Sequence, residues 1–300
     1  MEYYKISGIT VGLDVTNEDF FRMRCEDYSL NKPSNYDFNS LCNDKIEITL
    51  KHTADIIRED GGREVTNSKY NISVKYPDRI LHYVFDGERY VSKIVYYTNY
   101  DKVYIEYNRD AGVKAFDLTD IDLDYIYIGN AFNMKVSAVG GLMIHSSSIA
   151  VNGKALLFSA PSGTGKSTHT NLWQVVHGDK MQFINDDKPV IRFSGDTPIV
   201  CGTPFSGKTD INNNIEVPMG AYIYLERGDK DSIERMNIKE SLYCLTEQTI
   251  RPSVDKSLYL RNLDSIEKIV ANIPCYRLKC TPTTNAVDVV YKEIFGNENK

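Results

Sequence analysis

At 300 residues, with 35 basic against 41 acidic side chains and a formal net charge of −6, the chain can bury one large core or two ordinary ones and carries no overall basic footprint. That balance excludes nucleic acid or an anionic membrane as the main partner, and no apolar run approaches membrane-spanning length. The opening residues, Met-Glu-Tyr-Tyr-Lys-Ile, lack a basic segment followed by an apolar core, which predicts a cytoplasmic protein. Six cysteines without C-x-x-C spacing fit reduced thiols better than a disulfide framework or a zinc site.

Residues 1 to about 135 are rich in Tyr, Val, Ile and Asp. After a short helix over Asn17 to Tyr28, alternating runs predict strands at Lys45 to Leu50, Tyr70 to Tyr76, Arg79 to Phe85, Tyr90 to Tyr97 and Lys102 to Tyr107. Asp86-Gly87 and Asn99-Tyr100-Asp101 supply turns between them. The charged stretch Arg58 to Arg63 is expected to be an exposed loop. These features predict a β-rich domain over 1–135, with a soft boundary, because no linker composition separates it from the residues after 135.

From 136 to 300 strands and helices alternate, the pattern of an α/β domain. Asn152-Gly153 between two apolar runs predicts a two-residue hairpin in which Val151 pairs with Lys154, so that His145 falls opposite Ala160. The strand Lys154 to Ser159 leads into Ala-Pro-Ser-Gly-Thr-Gly-Lys-Ser-Thr at 160–168, and Ser167 to Val176 reads as a helix. Strand, glycine-bearing loop and helix in that order form a phosphate-binding loop. Its glycines, Gly163 and Gly165, let backbone N–H groups turn toward phosphate oxygens, Lys166 reaches the outer phosphates, and the Ser167 hydroxyl faces Mg²⁺. The pattern calls for Gly at 160, where this chain has Ala.

Met181 to Ile184 predicts a strand ending in Asn185-Asp186-Asp187, about 30 residues after the loop strand and so able to return to the same sheet edge. Of the two acids, one can bind Mg²⁺ and the other can take the proton of an attacking hydroxyl; a polar turn is the alternative. His145 at the loop entrance either contacts a terminal phosphate or is hydrogen-bonded at a strand end. Gly202 to Thr209 resembles a second anion loop, in which Lys208 either meets phosphate or acceptor or is a solvated turn lysine. Arg227 and His169 are weaker candidates, the latter expected to face solvent or to cap local packing. Strands at Ala221 to Glu226 and Cys275 to Lys279, with helices at Ile238 to Thr249, Leu263 to Asn272 and Thr283 to Phe295, complete the reading.

His145 in Ile-His-Ser-Ser, the Ser162-Gly-Thr-Gly-Lys-Ser167 loop and the Asp186-Asp187 pair, in that order, resemble the HPr kinase/phosphorylase catalytic domain, whose nucleotide core is shared with phosphoenolpyruvate carboxykinases. The strings Ile-Asn-Asp-Asp-Lys-Pro and Gly-Thr-Pro-Phe-Ser-Gly-Lys extend the likeness to an uncharacterised bacterial branch of HPr kinase-like proteins. The resemblance implies an α/β, mixed-sheet, phosphate-loop domain behind the β-rich one. It implies Ser162, Gly163, Thr164, Gly165, Lys166, Ser167 and Thr168 around the nucleotide, and Ser167 and Asp187 on the metal. Asp186 would be the base, with His145, Lys166 and Lys208 assisting at the phosphoryl group. Thr168 stands where the kinase usually has Glu, and the later glycine-rich signature for its protein substrate is missing.

The expected activity is therefore an ATP- and Mg²⁺-dependent phosphotransferase acting on a hydroxyl of a peptide, a protein or a small molecule, with a homo-oligomer allowed. The rivals are a nucleotide-binding sensor without turnover and a phosphoenolpyruvate carboxykinase-like carboxy-lyase.

Overall fold

The computed structural model describes residues 1–30, 36, 38, 44–87, 89–207, 209–252 and 254–296. They fall into two compact units, one of Met1–Pro33, Leu41–Val139 and Pro252–Tyr259, the other of Ser34–Ser40, Gly140–Arg251 and Leu260–Lys300. The chain is mixed α/β with two mixed sheets and a β-rich N-terminal part, as expected.

The first unit begins with a hairpin of β1 (Glu2–Ile6) and β2 (Ile9–Asp14), tight because Ser7 and Gly8 both take positive φ. Helix α1 (Glu18–Arg24) and a 3₁₀ turn at Glu26–Tyr28 share the segment predicted as one helix. Then come β3 (Lys45–His52), β4 (Arg63–Asn67), β5 (Asn71–Lys75), β6 (Arg79–Phe85), β7 (Tyr90–Tyr97) and β8 (Lys102–Tyr107). The eight strands lie in the order β1-β2-β3-β8-β7-β6-β5-β4, with β3 parallel to both its neighbours. Arg63, expected in a loop, opens β4 instead. Its segment is held by Arg58 bonded to Glu64, a pair that charge alone did not suggest.

Two helices close this unit, α2 (Arg109–Phe116) and α3 (Asp120–Ala138), and the β-rich reading missed both. Asn108 caps α2, while Thr119 and Asp122 form a reciprocal capping box at α3. Buried residues lie all round the later turns of α3, from Tyr127 through Phe132 to Val136, so no single apolar stripe marks it as a helix. Asp124 is wholly buried on α3 and is tolerated because Tyr107 donates to it at 2.6 Å and Asn17 at 2.8 Å.

In the second unit β9 (Leu142–Met143) precedes the hairpin β10 (Ser146–Val151) and β11 (Lys154–Ser159). Its register pairs Val151 with Lys154 and Ser146 with Ser159, and Asn152 and Gly153 both have positive φ, as the Asn-Gly signal required. Helix α4 (Lys166–His177) leads to β12 (Met181–Asn185), then β13 (Val190–Ser194) and β14 (Thr197–Cys201). The twelve-residue β15 (Glu216–Arg227) first pairs antiparallel with β14 and then runs parallel to β11. β16 (Ser232–Arg235), α5 (Ile238–Gln248), α6 (Lys256–Asn272) from Leu260 onward, β17 (Cys275–Cys280) and α7 (Asn285–Phe295) complete the unit, with β17 parallel to β15. Helix α6 starts earlier than its predicted Leu263, since Lys256 to Asn262 already turn helically.

Residues of β11 alternate between two cores. Ala155 and Leu157 pack with Leu245 of α5 and Ile269 of α6, whereas Leu156 and Phe158 pack with Trp173 of α4 and Val290 of α7. A sheet covered on both faces explains why β11 is a continuous apolar run. Leu157 is fully buried, so Leu157→Ala is expected to cost about 2–5 kcal/mol of unfolding free energy, measurable by urea titration.

Candidate active site

The loop after β11 shows why its first position need not be glycine. Ala160 has no positive φ and is completely buried with Phe158 and Trp173, so its methyl fills core space. The strained positions come later: Gly163 at φ 76° and Gly165 at φ 118°, and a Cβ on Gly165 would sit in the left-handed region. Gly165 also precedes the first residue of α4, and no side chain caps that helix. Its first N–H groups are therefore left for an anion, reinforced by the helix dipole.

Lys166 donates from Nζ to the Ala160 carbonyl at 3.1 Å, folding back across the loop. Burial lowers its pKa, and Asp187 and Asp186 oppose that shift, so both carboxylates act on this ammonium. Arg227, at the end of β15, donates to the carbonyls of Gly163 at 2.6 Å and Thr164 at 3.5 Å. Sequence reasoning ranked this arginine low because nothing local reveals that β15 ends beside the loop.

The acids are set by β12 and the turn after it. Asn185 is fully buried, and its Oδ1 accepts from the N–H groups of Asp187 at 2.8 Å and Lys188 at 2.6 Å, while its Nδ2 donates to Thr203 O at 2.8 Å. This amide therefore shapes the turn that presents both acids. Asp186 is 5 % exposed and accepts a 2.6 Å hydrogen bond from Ser147 on β10, whose hydroxyl also meets Thr170 on α4 at 2.8 Å. Thus Asp186 is tied to the helix that carries the loop lysine.

Asp187 has a partner on each oxygen, His145 Nε2 hydrogen-bonded at 3.1 Å to Oδ1 and Lys188 Nζ ion-paired at 2.9 Å with Oδ2. Burial pushes its pKa up, but the His145 hydrogen bond and the Lys188 charge outweigh burial and hold it at about 2. Gly207 leans on this carboxylate. At φ 66° it admits no Cβ without strain, and a Cβ there would lie 2.9 Å from Asp187 Oδ2.

The sign of the pH effect is set by that depressed value. Because the folded pKa of about 2 lies below the usual 3.8, the Asp187 contacts stabilise the fold above about pH 4 and lose that contribution as pH falls through 2. Removing the partners in His145→Ala or Lys188→Ala is expected to raise the Asp187 titration midpoint. Carboxyl ¹³C chemical shifts against pH will read the change; an unmoved midpoint would show that neither contact holds the charge.

Of the residues singled out from sequence, His145, Lys166, Asp186 and Asp187 come together. His145 sits in the bend before β10, with its carbonyl accepting from Ser159 Oγ at 3.1 Å. Gly163, Thr164 and Gly165 line the loop, Ser167 lies half-buried in the first turn of α4, and Ser162 and Thr168 are exposed. Lys208 lies outside the described residues, as does Cys42; the other five cysteines form no disulfide among the described residues. Of the two expectations for His169, packing holds and solvent exposure does not: it is 3 % exposed, with its ring tilted against Phe158 at 4.8 Å between centroids. Ser147, Thr170, Asn185 and Lys188 escaped sequence reasoning; Asn185 alone had a signal, as a turn-forming side chain just before two acids.

Among the described residues no group of three or more His, Cys, Asp or Glu is arranged to hold a metal. Ser167 and Asp187 carry oxygen donors of the kind a hard cation takes, and both Asp187 oxygens are engaged by His145 and Lys188. No described helix is long and apolar enough to cross a membrane.

Fold and site together define a mixed α/β protein with a glycine-bearing loop between a parallel strand and a helix, facing an acid pair. Residues 123–295, more than half of the chain, match the family described as SynChlorMet cassette protein ScmC, and the chain belongs to that family. No curated protein matches it. Among solved structures the chain is similar to the HPr(Ser) kinase/phosphatase from Coxiella burnetii, at 10% identity and a TM-score of 0.32, covering 52% of this chain and 98% of that one.

Proposed function

We propose that this protein is a phosphotransferase that moves the terminal phosphoryl group of ATP to an alcohol, a serine of a peptide or protein or a small hydroxylated molecule. The observation that carries this reading is the link from acid to loop helix: Asp186 accepts from Ser147 at 2.6 Å, and the Ser147 hydroxyl meets Thr170 on α4, the helix that begins with Lys166. Binding a nucleotide needs the loop and its lysine, whereas a buried second acid serves the deprotonation of an acceptor.

Loop N–H groups and Lys166 would hold the phosphates and offset charge on the transferring group. Asp187, kept ionised by His145 and Lys188, suits cation binding together with Ser167; with a pKa of about 2 it is a weak base. Asp186 would then take the acceptor proton, with Ser147 orienting its carboxylate. His145 orients Asp187 and faces the outer phosphate. Ser167 and Asp187 would hold Mg²⁺, which when bound would supply charge neutralisation at the phosphates.

Incubation with γ-labelled ATP, Mg²⁺ and lysate of the source cells, followed by separation of proteins from metabolites, tests the reading. Metal-dependent label in a discrete acceptor is expected. Nucleotide binding without any metal-dependent turnover would replace the kinase with a sensor.

A further inference from the structure

In the first unit a cleft of about 400 Å³ lies against β4, lined by Arg63, Thr66, Lys75, Ile80, Val254 and Lys256, among others. Strand register puts three of these in one row: Arg63 on β4 pairs with Lys75 on β5, and Lys75 pairs with Ile80 on β6. Cross-strand partners point to the same face, so two cations stand directly opposite each other, an arrangement that costs stability until an anion comes between them. The bulge between Glu64 and Thr66 leaves Thr66 opposite Ser73, which shares a face with Lys75, so Thr66 joins that face too. Ile80 and Val254, both buried, supply apolar surface, and Lys256 adds a third positive charge.

The acids that line this cleft are engaged by other groups. Glu64 is bonded to Arg58 and Asn67, while Asp255 accepts from Tyr100 Oη at 2.7 Å and from the Ser257 N–H at 2.8 Å. Burial pushes the Asp255 carboxyl up, but those hydrogen bonds outweigh it and keep the group ionised, with Lys75 adding a weaker pull at longer range. Among the described residues, Arg63, Lys75 and Lys256 have no carboxylate within ion-pair distance, and all three are exposed. In a chain of net charge −6, this cleft runs against the overall sign. Its position adds a second feature: β4 is the outermost strand and pairs only with β5. Successive strand residues point to opposite faces, so a cleft lined by four consecutive residues, Arg63 to Thr66, follows the open edge besides one face.

The geometry points to this cleft as the docking site of an extended peptide segment bearing Asp or Glu side chains, held by Arg63, Lys75 and Lys256 and by the open edge of β4. The three cations take the acidic side chains, and the edge offers backbone partners to the chain between them. A small anion would use the cations and leave the edge idle. Docking stands independently of the phosphate loop. Its consequence for the transfer, that the acceptor is a peptide or protein with an acidic segment, rests on the phosphotransferase reading.

Fluorescence anisotropy on the full chain, without nucleotide, compares a labelled peptide containing Glu-Val-Glu-Val-Glu with one in which Gln replaces each Glu. The acidic peptide is expected to bind at least roughly tenfold more tightly, since charge-assisted contacts are lost in the other. Replacing both Val by Pro keeps the charges but removes two backbone donors, and should weaken binding severalfold. The double variant Arg63→Gln, Lys75→Gln changes only exposed side chains and should erase most of the preference for Glu, with the melting temperature confirming the fold. Equal affinity for the Glu and Gln peptides overturns the docking site, as does an undiminished preference in the folded double variant. Equal affinity for the Pro peptide replaces it with a small-anion site. Transfer of label from γ-labelled ATP to the lysate acceptor should fall in the double variant while ATP affinity stays the same. Undiminished transfer there overturns the link to the acceptor, and no transfer in the wild type overturns the phosphotransferase reading but leaves docking intact. The comparison of peptides on the wild type decides the docking even if the double variant fails to fold.

Discussion

Asp186→Asn is expected to bind Mg²⁺–ATP as the wild type does and to transfer phosphate at least about 10²-fold more slowly, the span a positioned general base contributes. The amide is nearly the same size and can still engage Ser147, so the buried turn should persist. Loss of rate with unchanged affinity would therefore isolate the proton-accepting role. Asp187→Asn is the informative partner: removing the carboxylate between His145 and Lys188 should weaken the dependence on Mg²⁺ as well as the rate. Rapid-quench measurement of a single turnover at saturating nucleotide separates the two. Full activity in Asp186→Asn would shift the base to Asp187 or to a water molecule.

Lys166→Ala is expected to weaken Mg²⁺–ATP binding by on the order of 2 kcal/mol, roughly thirtyfold, because a charge-assisted contact to phosphate is lost. Its hydrogen bond to the Ala160 carbonyl is replaceable by water at this half-buried position, so thermal stability should change little. Affinity by calorimetry, read beside the melting temperature, settles it. Unchanged affinity in a folded variant would mean that the ammonium does not reach the phosphates and would remove Lys166 from the site.

The motifs read from the sequence pointed to the HPr kinase-like group and did not reach the family to which the chain belongs, ScmC. Motif reasoning weighs the few residues that carry chemistry, whereas the family match runs over 123–295 and so includes most of α3, a helix the motifs do not touch.

Local signals were sufficient wherever the determining interactions are close in sequence. Asn152-Gly153 defined the β10–β11 register because a two-residue turn with positive φ at both positions leaves one pairing. Gly163, Gly165 and Lys166 marked the loop because its conformation is decided within a few residues, and the alternating runs marked β5 through β8 for the same reason. Helix α3 was not legible, since apolar residues surround it and its start depends on the reciprocal contacts of Thr119 and Asp122.

What only the tertiary structure decided is which distant groups meet. Sequence placed two acids and a histidine near the loop, but it could not say that His145 and Lys188 would close on Asp187 while Ser147 took Asp186, because 39 residues separate that last pair. Nor could it bring Arg227 to the carbonyl of Gly163 across a separation of 64 residues, or bury His169, whose surroundings are built from β11, α4 and the ends of β15 and β17. Turn and strand preferences act through the backbone of neighbouring residues, whereas ion pairing, desolvation and tautomer choice depend on the packing of separate elements, which exists only once the sheet has closed.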